Sequence, residues 1–259
     1  MSERHIVINN DIETQAKFIE AMKAIKKEGY IKSHRANDTG IGKTLEDKLG
    51  IIENSVQAAD INDIELKATR KDSTSMLTLF TKSPDKPRVN NKILRAKYGY
   101  KNTESLLINN KLNILHTTIN GKNYNTLNGD TCFKLIFKDD KIYIKHNKDG
   151  ILDDIYWSTN KLNKAFLKKF PSGKIYYVKA NVKKENGIEY FEYDDVYLLE
   201  NFDSKKLMEN LKSGFIEIDI RLGIYQTGNK KGKAHDNGTA FRLRTNKLDS
   251  CFDKITKII

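Results

Sequence analysis

Apolar residues recur at helical spacing in Phe18, Ile19, Met22 and Ile25, with Lys23, Lys26 and Lys27 mostly on the opposite side. That pattern predicts an amphipathic helix over residues 11–28, capped by Asp11 and ended by Gly29. A polar loop over 33–42 feeds a short helix that Gly50 ends. The period then changes to two: Ile64, Leu66 and Ala68 alternate with Glu65 and Lys67, and a second strand over 75–84 closes in a proline turn. Further on, the chain predicts a short helix over 93–98 and strands over 113–119, 131–137 and 141–145. A helix runs from Asn160 to Phe170, and strands over 174–182 and 188–199 are joined at Glu185-Asn186-Gly187. A helix over 204–211, a long alternating strand over 215–225, a strand begun by Arg242 and a last helix over 248–255 complete it. Helices and strands mix without a βαβ rhythm, which predicts an α+β fold with a mixed central β-sheet flanked by helices.

Composition narrows the class of partner. The 259 residues are 38% hydrophobic, enough for a packed core, and carry a formal net charge of +12, which favours polyanions. No apolar run reaches the length of a membrane span, and the N-terminus lacks the apolar stretch of a secretion signal, so a cytoplasmic protein without a membrane partner is expected. Cys132 and Cys251 are too far apart in sequence for a metal knuckle and read as buried thiols.

The chemistry concentrates at Asp60-Ile-Asn-Asp-Ile-Glu65-Leu-Lys67, an acidic turn running into a strand. Two carboxylates can hold a hard divalent cation such as Mg²⁺ while it keeps several waters, and a neighbouring lysine can orient one of them. That is the equipment for metal-assisted attack on a phosphodiester. The spacing D-x4-E-x-K by itself favours a solvated strand face with a Glu–Lys pair. Upstream, Gly40-Ile-Gly42-Lys43-Thr44 is not a nucleotide P-loop, because Asn37 stands where that pattern needs glycine and no apolar strand precedes it.

The ordered set GIGKTLE, D-x4-ELK and LTLFTKSP resembles the MvaI/BcnI family of restriction endonucleases, relatives of the nicking enzyme MutH with the PD-(D/E)xK nuclease core. The resemblance resumes at Arg95-Ala-Lys-Tyr-Gly99, Asn113-Ile-Leu-His116, Val196-Tyr-Leu, Asp219-Ile-Arg221-Leu-Gly-Ile-Tyr225 and Gly232-Lys-Ala-His235-Asp-Asn-Gly-Thr-Ala-Phe-Arg242. The family's proline before the first aspartate is Ala59 here, a turn-shaping position that ligates nothing. The resemblance implies two lobes around a DNA cleft, a catalytic lobe over 1–130 and a recognition lobe over 131–259. It implies a monomeric, Mg²⁺-dependent type II endonuclease that cuts a short pseudo-symmetric site in double-stranded DNA by nicking one strand and then the other. A separate host DNA methyltransferase, not a physical partner, is implied as well. Asp60, Glu65 and the Leu66 carbonyl would ligate the metal and Lys67 would position the water. Glu46 would be an extra acidic residue; the polar side of a short helix is its other reading. A MutH-like strand-nicking repair enzyme and a non-catalytic basic nucleic-acid-binding module are the alternatives.

DNA recognition is expected over 226–244, where Lys230, Lys231, Lys233, Arg242 and Arg244 face Asp236 alone among acidic residues. Lys230, Lys231 and Lys233 suit phosphate contacts, which position without specifying. Arg, Asn and Asp are side chains that read base edges. Through the resemblance, Arg221, His235, Asp236, Asn237 and Arg242 are expected at bases, with Tyr225 beside them. Asn237 stands where close relatives carry histidine. His34, Lys86 and Arg88 are expected at backbone phosphates, and His116 either at DNA or as a structural residue.

Overall fold

The computed structural model describes residues 14–51, 59–86 and 90–259. Its helices are α1 (Gln15–Lys27), α2 (Gly40–Lys48), α3 (Asn90–Tyr98), α4 (Thr103–Ile108), α5 (Thr159–Lys169), α6 (Ser204–Ser213) and α7 (Leu248–Cys251). Its strands are β1 (Ile31–Lys32), β2 (Glu65–Arg70), β3 (Leu77–Thr81), β4 (Leu115–Ile119), β5 (Thr126–Leu127), β6 (Asp130–Thr131) and β7 (Phe133–Lys138). They continue with β8 (Lys141–His146), β9 (Gly150–Ser158), β10 (Ile175–Glu185), β11 (Ile188–Glu200), β12 (Ile216–Ile224), β13 (Ala234–Leu243) and β14 (Lys254–Lys257). Contacts divide the chain into two compact units, one of Met1–Ser75, Phe166–Asp203 and Cys251–Ile259, the other of Met76–Ala165 and Ser204–Ser250. The units interleave, so a single boundary near residue 130 does not describe them; the chain leaves the first unit after Ser75 and returns within α5. Among the described residues no helix is long and apolar enough to cross a membrane.

The first unit is built on a five-stranded mixed sheet in the order β1-β11-β10-β2, with β14 also on β11. Among the described residues of this sheet only β2 and β10 run parallel, from Glu65 opposite Ile175 to Arg70 opposite Ala180. Helices α1 and α2 cover the apolar face through Phe18, Met22, Ile25, Ile41 and Leu45, packed on Leu66, Tyr176, Val178 and Tyr193. Phe18 stacks on Tyr176 with ring centroids 3.8 Å apart. Thr14 rather than Asp11 caps α1, its hydroxyl accepting from the Lys17 amide at 3.3 Å; Asp11 lies outside the described residues. Gly40 opens α2 because a Cβ there would stand 2.3 Å from the Arg35 carbonyl oxygen. A second cluster joins Phe166 and Phe170, at the end of α5, to Phe202, with centroids 4.9 and 5.6 Å away. The predicted last helix stops at Cys251; Lys254–Lys257 instead pair with β11, Thr256 opposite Leu198. An open sheet edge offers ladder hydrogen bonds that outweigh weak local helix propensity.

The second unit holds a four-stranded antiparallel sheet, β3-β13-β12-β4, a three-stranded meander, β7-β8-β9, and a two-stranded ribbon, β5-β6. The β7–β8 turn places Asp139 and Asp140 at φ 49° and 55°, the double left-handed conformation of a two-residue hairpin loop. Along β12, Ile216, Ile218 and Ile220 point into the core while Glu217, Asp219 and Arg221 share the other face. The fully buried Trp157 donates to the Lys82 carbonyl at 2.8 Å, and its ring meets Phe241 edge-on.

Candidate active site

In the first unit the acidic turn is a tight reversal. Ile61 and Ile64 exchange main-chain hydrogen bonds of 3.0 and 2.8 Å across Asn62 and Asp63, which sit at φ 43° and 67°. A two-residue loop makes the next pair out, Asp60 and Glu65, cross-strand neighbours. The four-residue gap between the two carboxylates is the spacing this turn requires. Glu65 donates its amide to the carbonyl of Lys174, the residue before β10. In a parallel ladder the next residue therefore turns its main-chain groups to the other edge. The Leu66 amide does so, donating to Asp60 Oδ2 at 3.0 Å. Asp60 Oδ1 and the Leu66 carbonyl are thereby left on one edge of β2.

Glu65 is fully buried, not on a solvated face. Lys67 Nζ lies 2.5 Å from Glu65 Oε1. Lys169 Nζ lies 2.7 Å from Glu65 Oε2 and 3.5 Å from Asp60 Oδ1. Each Glu65 oxygen therefore faces a lysine ammonium. Burial pushes the Glu65 carboxyl up from 4.5 to about 7; Lys67 pulls it down, the Asp60 charge adds to the rise and Lys169 opposes it. A buried carboxylate beside a second carboxylate and a carbonyl is a hard oxygen donor set that fits a divalent cation. Among the described residues no three His, Cys, Asp or Glu side chains form a cage, so the other ligands would be water and substrate oxygens. Glu46 lies on α2, in the same unit.

The second unit presents a polar sheet face centred on the buried Asp219. Its Oδ1 accepts from Thr118 Oγ1 at 2.9 Å and meets Arg221 Nη2 at 2.7 Å, and its Oδ2 accepts from Arg242 Nη1 at 2.9 Å. Arg242 Nη2 also donates to the Met76 carbonyl, and Arg244 pairs with the buried Glu217 at 2.6 Å. His116 lies opposite Arg221 on β4. Asp219, Glu217 and Thr118 were not among the expected site residues; the i, i+2 spacing of Asp219 and Arg221 on one strand carried the signal. Lys169 had no local signal at all.

The expected loop tip is also redrawn. His235, Asp236 and Asn237 belong to β13, which begins at Ala234, with His235 opposite Gly223 and Asp236 opposite Leu222. The tip is the segment from Tyr225 to Lys233, closed by the Tyr225 amide donating to the Lys233 carbonyl at 3.0 Å. A register shift between Ile220 and Leu222 and Gly238 at φ 82° allow the hairpin to extend this far. The Tyr225 and His235 rings lie 4.1 Å apart, and Lys230 Nζ stands 5.6 Å over the tyrosine. Lys231, Lys233, Asp236 and Asn237 are exposed. Elsewhere, His34 Nδ1 sits 2.8 Å from Asp47 Oδ2, which pins the loop to α2. Lys86 is exposed in a bridge to Tyr156, and Arg88 lies outside the described residues.

Two carboxylates and two lysines thus meet at the start of β2 in a mixed α+β fold, the fold class of the restriction endonucleases. A sequence model of the MvaI/BcnI restriction endonuclease family matches residues 19–252. The chain belongs to that family and is a type II restriction endonuclease, a site-specific deoxyribonuclease of a kind that generally uses a divalent metal. Among solved structures it is similar to the restriction endonuclease MvaI in complex with its cognate DNA substrate, at 33% identity and a TM-score of 0.82, with 100% of each chain covered. It is also similar to MvaI in the absence of DNA, at 33% identity and a TM-score of 0.53, covering 100% of this chain and 99% of that one. No curated protein matches it.

Proposed function

We propose that this endonuclease hydrolyses phosphodiester bonds of double-stranded DNA with Mg²⁺ held by Asp60, Glu65 and the Leu66 carbonyl. The observation that carries the reading is Glu65, a fully buried carboxylate held between two lysine ammoniums and facing Asp60 across a two-residue turn. When bound, Mg²⁺ supplies Lewis-acid activation of water and offsets charge building on the phosphate and the leaving 3′-oxygen. The protein supplies the positions. Asp60 is fixed through Oδ2 by the Leu66 amide, which leaves Oδ1 for the cation. Lys67, on the same face of β2 as Glu65, holds the attacking water and stabilises its developing negative charge. Glu46 acts from further out, through water.

Arg221, His235, Asp236, Asn237 and Arg242 read base edges, and Lys230, Lys231 and Lys233 hold phosphates, with Tyr225 as the platform between them. His34, Lys86 and Arg88 add backbone contacts. One Asp60–Glu65–Lys67 set serves one strand, so a monomer nicks one strand and then the other. The test is a time course on supercoiled plasmid carrying one site. Nicked circles should accumulate before linear DNA in Mg²⁺, and Asp60→Ala should bind the site without cutting. Direct conversion to linear DNA at a rate second order in enzyme would overturn the monomer, and wild-type cutting by Asp60→Ala would overturn the metal site.

A further inference from the structure

Lys169 is a hundred residues beyond the acidic turn, yet its ammonium bridges both carboxylates, 2.7 Å from Glu65 Oε2 and 3.5 Å from Asp60 Oδ1. Lys67 is placed differently, at Glu65 Oε1. The position is built. Lys169 is the last residue of α5, between Phe166 and Phe170, which are 0% and 1% exposed and packed on Phe202. That aromatic anchor fixes the helix end while the four-carbon stem leaves the ammonium room to move. Two carboxylates and two ammoniums balance in charge. A divalent cation shared by Asp60 and Glu65 would approach the same two oxygens that Lys169 bridges, and like charges within a few ångströms repel strongly in a site this buried. Both cations can remain only if an anion joins them, and a DNA phosphate is one.

We propose that Lys169 is a second active-site lysine that competes with the divalent cation for Asp60 Oδ1 and Glu65 Oε2 and, once displaced, pairs with a non-bridging oxygen of the scissile phosphate. Metal and DNA then bind as a coupled pair, and the DNA-free enzyme holds metal weakly. The inference rests on the metal site proposed above. Its test is Mn²⁺ binding to the DNA-free protein, read from the electron paramagnetic resonance of the unbound ion; Mn²⁺ shares the oxygen-ligand preference of Mg²⁺. Lys169→Met should bind Mn²⁺ about tenfold or more tighter than wild type. Lys169→Arg, which keeps the charge, should stay near wild type, with circular dichroism confirming that each variant is folded. At saturating Mg²⁺ and DNA, Lys169→Met should cut roughly tenfold or more slowly, the cost of one lost donor at a reacting phosphate. Mn²⁺ affinity unchanged or weakened in Lys169→Met would overturn the competition, and wild-type cutting by that variant would overturn the phosphate contact. Asp60→Asn separates the two readings: if it abolishes Mn²⁺ binding while Lys169→Met changes nothing, only the role of Lys169 falls. If Mn²⁺ still binds to Asp60→Asn, the metal site itself is misplaced.

Discussion

At the scale of single residues, Glu65 is in conflict with its surroundings. Its carboxyl is fully buried, and burial raises it to about 7 despite Lys67 and Lys169 at contact distance. The linkage has a definite sign. Between about pH 4.5 and 7 the folded protein keeps a proton that the unfolded chain has released, so stability is highest below that window and falls as pH rises through it. A shift of this size corresponds to roughly 3 kcal/mol. In EDTA, denaturant unfolding should therefore show the wild type losing stability from pH 5 to pH 8 relative to Glu65→Gln, whose side chain does not titrate. Mg²⁺ should restore much of the loss at pH 8, because a bound cation favours the ionised form. Parallel pH profiles for the two proteins would show that Glu65 titrates like a solvated carboxylate.

Elements explain which parts of the site were legible. The D-x4-E spacing could be read because the chemistry and the two-residue turn at Asn62 and Asp63 are both local. The alternation that puts Ile64, Leu66 and Ala68 on one face and Glu65 and Lys67 on the other is likewise local, and the structure keeps it. Lys169 could not be read, because it reaches the site only through the parallel pairing of β2 with β10, two segments separated by a long excursion of the chain. His235 and Asp236 were expected in a loop because glycines flank them, whereas the register shift in β12 and Gly238 carry the strand pairing past them. The same strand pair yields a prediction at Asp219. Holding Arg221 on one oxygen and Arg242 on the other, it fixes the forks of two arginines before DNA arrives. A bidentate Arg–G contact contributes about 1–3 kcal/mol of discrimination, and its geometry depends on that pre-alignment. Asp219→Asn should therefore reduce cutting of the cognate site by about one to two orders of magnitude with non-specific binding unchanged or stronger. A library of randomised sites checks this; a variant that cuts the wild-type sequences at the wild-type rate would show that Asp219 only fills the sheet.

At the scale of the whole molecule the net charge of +12 favours encounter with DNA, and the hairpin tip carries lysines in different surroundings. An enzyme making about 6–10 phosphate contacts should lose about 10³–10⁵ in affinity between 50 and 200 mM salt. Lys231 is exposed, so Lys231→Ala should weaken binding to all sequences alike and flatten the salt slope by about one. Lys230 is exposed too, but its ammonium stands 5.6 Å over Tyr225, whose ring lies 4.1 Å from His235, a residue we assign to base reading. A cation over an aromatic face contributes about 0.5–1 kcal/mol at an exposed site. Lys230→Ala should therefore flatten the salt slope and also relax sequence preference, by loosening the tyrosine that supports His235. Fluorescence anisotropy on cognate and non-cognate duplexes over a salt series separates the two effects. Equal loss of affinity for both duplexes in both variants would mean that Lys230 is a phosphate contact like Lys231, and that the stack of Lys230, Tyr225 and His235 carries no specificity.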